Sequence, residues 1–91
     1  KQIANLINQI DADWNVALNK KLNKNYVFSE FNDAVKFLNL VADMSENQGH
    51  HPFIHLNYKT VKIILFTHKI NGLHENDFLM ANKIDYIHSK L

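Results

Sequence analysis

The chain has 91 residues, a formal net charge of +1 and a hydrophobic fraction of 46%. This length fits a single domain over residues 1–91, and the charged fraction of 21% is too low and too mixed in sign for a disordered chain. The ten basic residues are scattered lysines, which argues against direct contact with nucleic acid. Cysteine is absent, which excludes disulfides and cysteine nucleophiles and fits a cytoplasmic or nuclear location. The longest apolar run, residues 63–66, is far short of the roughly 20 residues of a membrane helix, so no membrane association is expected.

The first half of the chain predicts a helix, a hairpin and a second helix. Helical spacing of apolar residues predicts a short opening helix on Ile3, Leu6, Ile7 and Ile10. Alternation then predicts a strand over residues 14–22, a turn at residues 23–25 and a returning strand at residues 26–28. Ser29 is the expected cap of a long helix that ends near Gly49. Its apolar stripe is formed by Phe31, Ala34, Val35, Leu38, Val41 and Ala42.

The second half predicts another hairpin and a last helix. Strands are expected at residues 54–58 and 61–65, joined by a turn at Lys59 and Thr60. The second strand runs out at Thr67 and His68, and Asn71 and Gly72 form a turn. The last helix shows one apolar face, with Met80, Ile84, Ile87 and Leu91 and with Ala81 beside it. The order α-β-β-α-β-β-α predicts an α+β two-layer domain, in which helices cover one face of a four-stranded antiparallel sheet.

Three histidines fall at the ends of these predicted elements. His50 and His51 lie in the loop after the long helix, and His68 lies at the end of a strand. Reactive groups are often found at such positions. Imidazole, with a pKa of about 6.5, can give or take a proton at neutral pH, and a carboxylate behind one ring would fix its tautomer. Glu46 and Asp77 are the candidates for that carboxylate.

Several plainer interpretations compete with catalysis. Each histidine taken alone is more often a surface or structural residue, and Asp77 could simply accept backbone hydrogen bonds in the first turn of the last helix. His51 and His55 have a metal-ligand spacing for a helix, but Pro52 and the alternating pattern favour an extended chain there, so no metal site is predicted. No serine stands in the glycine-flanked context of a nucleophile.

The constellation resembles the signature of the pterin-4a-carbinolamine dehydratase family. The residues that match the family's spacing are Glu46, His50, His51, Pro52, Tyr58, His68 and Asp77. The likeness extends outward to Trp14, Phe28, Phe31, Ala34, Phe37, Thr67, Gly72, Leu73 and Ala81. Two departures stand out, since Phe53 replaces a residue that is often acidic in the family and His74 replaces the usual threonine or serine cap of the last helix. The second change is expected to weaken that cap by about 1 kcal/mol.

The resemblance implies a sheet of four antiparallel strands with helices on one face, and dehydration of 4a-hydroxytetrahydrobiopterin to quinonoid dihydropterin. It implies His50, His51 and His68 as catalytic residues, with Glu46, Pro52, Thr67 and Asp77 around the pterin substrate. Neither a metal nor an organic cofactor is implied, and a homodimer or homotetramer is expected. Two alternatives stay open: a protein-binding module, since some relatives are dimerisation partners of a homeodomain transcription factor, and an enzyme acting on another pterin, as in molybdopterin metabolism.

Overall fold

A computed structural model describes residues 9–17 and 20–91. Its elements are strands β1 (Asn15–Ala17) and β2 (Lys21–Val27), helix α1 (Phe31–Gln48), strands β3 (Phe53–Asn57) and β4 (Thr60–Leu65), a 3₁₀ turn (His68–Ile70) and helix α2 (Glu75–Ser89). The strands form one antiparallel sheet in the order β1-β2-β4-β3. The predicted α+β class and four-stranded sheet are confirmed. The predicted opening helix lies outside the described residues except for Ile10, which packs against the core.

Both hairpins exist, but their turns lie elsewhere than predicted. The first connection falls between Ala17 and Lys21, where the Lys20 amide donates to the Ala17 carbonyl over 3.0 Å. The residues predicted as a turn, 23–25, lie inside β2 instead. Their polar side chains misled the prediction, because Lys24 is buried on the helix side through ion pairing while Asn23 and Asn25 face away. In the second hairpin the turn includes Tyr58, whose φ of 56° is left-handed, and Thr60 already belongs to β4.

At its two ends, helix α1 is bounded by backbone conformation and has no side-chain hydrogen bond as an N-cap. Glu30, not Ser29, is the N-cap residue, and its side chain makes no capping hydrogen bond. Gly49 ends the helix in the left-handed conformation with a φ of 65°, as the sequence predicted. The buried stripe of α1 consists of Ala34, Phe37, Val41 and Ser45. Phe31, predicted to be in this stripe, is instead 45% exposed and stacks on Tyr58.

Helix α2 begins with side-chain capping contacts from His74 and Asp77. The His74 side chain accepts a hydrogen bond from the Asn76 amide at 3.0 Å, and the Asp77 side chain accepts one from the His74 amide. Together these contacts form a capping box, so His74 does cap the helix through its side chain, and the expected difference of about 1 kcal/mol from a threonine or serine cap stays a prediction. Met80, Ala81 and Ile84 are buried as predicted, whereas Leu91 lies beyond the helix and is exposed.

The sheet has one covered face and one open face. Alternate residues of β4, namely Val61, Ile63 and Leu65, are fully buried beneath the helices. The intervening residues Lys62 and Ile64 point to the other face, where no described helix covers them. The same alternation directs Ile54 and Leu56 of β3 toward the core. The open face is therefore presented by Lys21, Asn23, Asn25, Phe53, His55, Asn57, Lys62 and Ile64.

A polar cluster fixes α2 to the sheet at the end of the domain away from His50. The Asp85 carboxylate accepts hydrogen bonds from Trp14 Nε1 at 2.9 Å, from Lys24 Nζ at 2.7 Å and from the Tyr26 hydroxyl. Burial and then the Asp85 carboxylate raise the pKa of the Tyr26 hydroxyl far above its ordinary value. Three donors on one carboxylate satisfy groups that would otherwise be costly to bury. This cluster is structural, and the sequence pattern did not predict it.

Candidate active site

The loop between α1 and β3 carries His50 and His51 to the end of the sheet where β4 finishes. The left-handed Gly49 reverses the chain, and the His50 amide donates to the Ser45 carbonyl over 3.2 Å. Pro52 follows the two histidines and immediately precedes β3. Proline favours extended backbone in the preceding residue, which suits the start of a strand.

A fully buried carboxylate, that of Asp77, organises the site. Asp77 Oδ1 lies 2.7 Å from His50 Nε2, while Oδ2 accepts hydrogen bonds from the Thr67 hydroxyl at 2.7 Å and from the His74 amide at 2.9 Å. The Asp77 side chain has 0% exposure and the His50 side chain 20%. Asp77 therefore has the two functions that the sequence left as rivals, because it caps α2 and also contacts a candidate catalytic histidine.

This arrangement selects the tautomer of His50. An ionised carboxylate only accepts hydrogen bonds, so His50 must donate from Nε2. The lone pair of the neutral ring is then on Nδ1, which is free to accept a proton. If His50 becomes an imidazolium, the nearby Asp77 carboxylate stabilises its charge. The pair thus has the geometry of a general base that is oriented by a buried acid.

A cavity of about 400 Å³ adjoins this pair. Its lining consists of His50, Thr67, Lys69, Ile70, His74 and Asn76. Of the predicted site residues, His50 and Thr67 line this cavity directly, whereas Asp77 acts from behind them. Two of the remaining lining residues, His74 and Asn76, belong to the cap of α2. The sequence signal for His74 was its place before the helix, but it was interpreted only as a departure from the family.

His51 and Glu46 form a looser and more exposed pair. His51 Nε2 lies 3.4 Å from Glu46 Oε2, and the two side chains are 61% and 80% exposed. In such an environment solvent screens the attraction, so the contact orients His51 weakly. The structure therefore brings Glu46 to His51 and not to His50.

His68 lies on the other side of the strand end. His68 begins the 3₁₀ turn, whereas strand β4 already ends at Leu65. The predicted end of the strand at His68 therefore lies too far along the chain. Its ring meets the Phe66 ring edge-on, with centroids 4.8 Å apart. It lines a second cavity, of about 370 Å³, together with Lys21, Phe53, Ile64 and Phe66. Adjacent residues, Thr67 and His68, thus line different cavities on the two sides of one strand end.

Tyr58, which also matched the motif, is remote from this end of the sheet. It lies in the turn between β3 and β4, whereas His50 precedes β3 and His68 follows β4. Its partners are Phe31, which stacks on it with centroids 6.3 Å apart, and Lys59, whose ammonium lies 5.0 Å from its ring. Within one chain, Tyr58 cannot contribute to the histidine site.

The part of the chain that the structure describes contains no cluster of three or more histidine, aspartate or glutamate side chains that could hold a metal ion. Neither helix in residues 9–17 and 20–91 has the length and apolar character needed to cross a membrane. The imidazole, carboxylate and hydroxyl groups of the site can transfer protons and form hydrogen bonds.

The fold and this site define a small α+β protein with a buried Asp-His pair at the end of a four-stranded sheet. A sequence model described as pterin 4 alpha carbinolamine dehydratase matches residues 1–87, and the chain belongs to that family. A relative from Alkaliphilus metalliredigens, provisionally named a pterin-4-alpha-carbinolamine dehydratase, is 39% identical over 92% of this chain and 76% of its own length. A relative of the same name from Saccharophagus degradans is 45% identical over 76% of this chain and 61% of its own length.

Solved structures share the fold. A transcriptional coactivator/pterin dehydratase from Brucella melitensis superimposes with a TM-score of 0.85 at 28% identity, covering 93% of this chain and 90% of its own. A pterin dehydratase-like protein identified as a RuBisCO assembly factor in the alpha-carboxysome gives a TM-score of 0.71 at 25% identity, covering 82% and 88%. The first neighbour is thus named both as a coactivator and as a dehydratase, and the second is named as an assembly factor.

Proposed function

We propose that this protein is a dehydratase of 4a-hydroxytetrahydropterins, the activity for which its family is named. The observation that carries the proposal is the hydrogen bond between the buried Asp77 carboxylate and His50 Nε2. If Asp77 only capped the helix, its hydrogen bond from the His74 amide would be enough, and its contact with His50 would have no purpose. The second contact gives a histidine of fixed tautomer beside a cavity large enough for a bicyclic ring.

The reaction needs one proton acceptor and one proton donor. His50, whose Nδ1 lone pair is oriented by Asp77, removes the proton from N5 of the substrate as the N5–C4a double bond forms. His68 in its protonated form gives a proton to the 4a-hydroxyl group, so that the C4a–O bond breaks and the oxygen leaves as water. The products are quinonoid dihydropterin and water, and proton exchange with solvent restores both histidines. His51, exposed beside Glu46, orients the substrate and is not a proton carrier.

Alanine variants of the three histidines test this assignment. The dehydration of a freshly generated carbinolamine is followed by its absorbance change. His50→Ala and His68→Ala are each expected to lower kcat by about 100-fold or more, the usual contribution of a positioned acid or base. His51→Ala is expected to raise KM more than it lowers kcat. His55→Ala, which removes an exposed histidine of β3, is the matched control and should retain activity. Full activity in both the His50 and His68 variants would refute the proposal.

We also propose that the chain associates with itself, as a homodimer or homotetramer. Supporting this, both helices keep large apolar side chains exposed, with Leu40 on α1 at 39% and Leu79 on α2 at 50%. Sedimentation velocity at micromolar concentration measures the assembly directly. A purely monomeric species would contradict it, without bearing on the dehydratase assay.

A further inference from the structure

The second cavity, on the open face of the sheet, has the chemistry of a binding slot. Phe53 and Phe66 line this cavity, and so does Ile64, which pairs with Phe53 between strands β3 and β4. Phe53 is 58% exposed on a strand whose alternate residues are partly buried. Phe53, Ile64 and Phe66 together form an apolar patch at this cavity, and aromatic walls suit a planar ring.

The charge at the rim of this slot is positive. The Lys21 ammonium lies 5.3 Å from the centre of the Phe66 ring, and it forms no ion pair with a carboxylate among residues 9–17 and 20–91. Lys62 is a second cation on the same face. None of the four described strands contains an aspartate or a glutamate. An anionic group is therefore the favoured partner of this rim.

Residues that line the slot are close in sequence to residues of the candidate active site. Phe53 comes two residues after His51, and Phe66 comes two residues before His68, which itself lines the slot. Because His68 itself lines the slot, a pterin whose 4a-hydroxyl group lies against His68 can extend along the open face between the two phenylalanines.

We propose that this slot binds an aromatic, carboxylate-bearing substituent on the pterin, so that the preferred substrates are pterins with an aryl carboxylate side chain. This specificity rests on the dehydratase function proposed above. Phe53 and Phe66 contact the aryl ring, and Lys21 pairs with the carboxylate. A pterin with a short hydroxylated side chain uses neither group and binds more weakly.

Binding of stable oxidised pterins tests the inference without the need for turnover. Equilibrium dialysis compares pteroic acid, which has an aryl carboxylate, with biopterin and with 6-methylpterin. Wild-type protein is expected to bind pteroic acid at least about fivefold more tightly than the other two, through aromatic contact and a partly exposed ion pair. Phe53→Glu should abolish this preference. Lys21→Gln should weaken pteroic acid binding by about threefold and leave 6-methylpterin unchanged.

The chain offers a matched pair of control substitutions on α2 and at its end. Tyr86 is 64% exposed, and the Lys90 ammonium lies 5.1 Å from the centre of its ring. Tyr86→Glu and Lys90→Gln make the same chemical changes outside the slot, and they should leave all three affinities at the wild-type values. Circular dichroism confirms that each variant is folded, and Lys21→Gln still tests the slot if Phe53→Glu does not fold.

The outcomes separate this inference from the proposed function. Equal affinity of wild-type protein for the three pterins, or a pteroic acid preference that survives Phe53→Glu, overturns the slot alone. Failure to bind any of the three overturns both proposals. A retained preference for pteroic acid in a protein that does not dehydrate carbinolamines supports the slot and refutes the catalytic assignment.

Discussion

Replacing Asp77 by asparagine is the sharpest test of the candidate active site. The substitution keeps the size of the side chain but changes one oxygen to an NH₂ group. Two of the three present partners, the Thr67 hydroxyl and the His74 amide, share Oδ2 and need an acceptor there. The amide oxygen of asparagine is therefore expected to face them, and the NH₂ group to face His50 Nε2. His50 must then accept at Nε2 and carry its proton on Nδ1, the opposite tautomer.

The magnitudes follow from these contacts. With Nδ1 protonated, His50 can no longer act as a base toward the substrate, and kcat is expected to fall by about 100-fold to 10,000-fold. The free energy of unfolding is expected to fall by less than the activation free energy of the reaction rises. Hydrogen bonds to a charged group contribute about 1.5–3 kcal/mol each and neutral ones about 0.5–1.5 kcal/mol, and the lost charge in the first turn of α2 removes about 0.3–1 kcal/mol. Because a neutral amide is easier to bury, we expect a net loss of about 2 kcal/mol, or roughly 10 °C in Tm.

Two measurements separate these effects, namely steady-state dehydration kinetics at a temperature well below Tm and thermal unfolding by circular dichroism. Glu75→Gln is the matched control, because Glu75 is an exposed acid in the same first helical turn. It should cost a few tenths of a kcal/mol and leave kcat unchanged. A folded Asp77→Asn protein with wild-type kcat would refute the view that Asp77 orients a catalytic His50, and Asp77 would then be a cap alone.

Three further substitutions test the scaffold around the site. Tyr26→Phe should make the free energy of unfolding fall less steeply with pH in the alkaline range. Because the folded state raises the pKa of Tyr26, the stabilisation from its protonated hydroxyl is present below about pH 10 and declines above it. Urea titrations from pH 9 to 11 should therefore show a steeper decline in wild-type protein than in the variant, and equal slopes would contradict this reasoning. Gly49→Ala should destabilise the domain by about 1–2 kcal/mol, since alanine is strained at a φ of 65°, and Gly49→Asn should cost less. His74→Ala should cost about 1 kcal/mol by removing the acceptor of the Asn76 amide, and an unchanged Tm would show that this cap contributes nothing.

Periodicity predicted the architecture well where one face of an element is buried. Strands β3 and β4 were found to within a residue or two because Val61, Ile63 and Leu65 alternate strictly with outward residues. The same reasoning failed in β2, where Lys24 occupies an inward position. A buried lysine is tolerated there since Asp85, from a distant part of the chain, accepts its hydrogen bond at 2.7 Å. No local pattern reveals a partner 61 residues away.

The composition of the candidate site was predictable, but its division into two sides was not. The sequence indicated both Thr67 and His68 without saying that they diverge. Alternation continues beyond the last residue of β4, so Leu65 and Thr67 point toward the helices while Phe66 and His68 point to the open face. Thr67 therefore reaches Asp77, and His68 packs against Phe66. Because side chains alternate along a strand end, two neighbouring residues of one motif line different cavities, and only the fold shows that Thr67, and not His68, lines the cavity of His50.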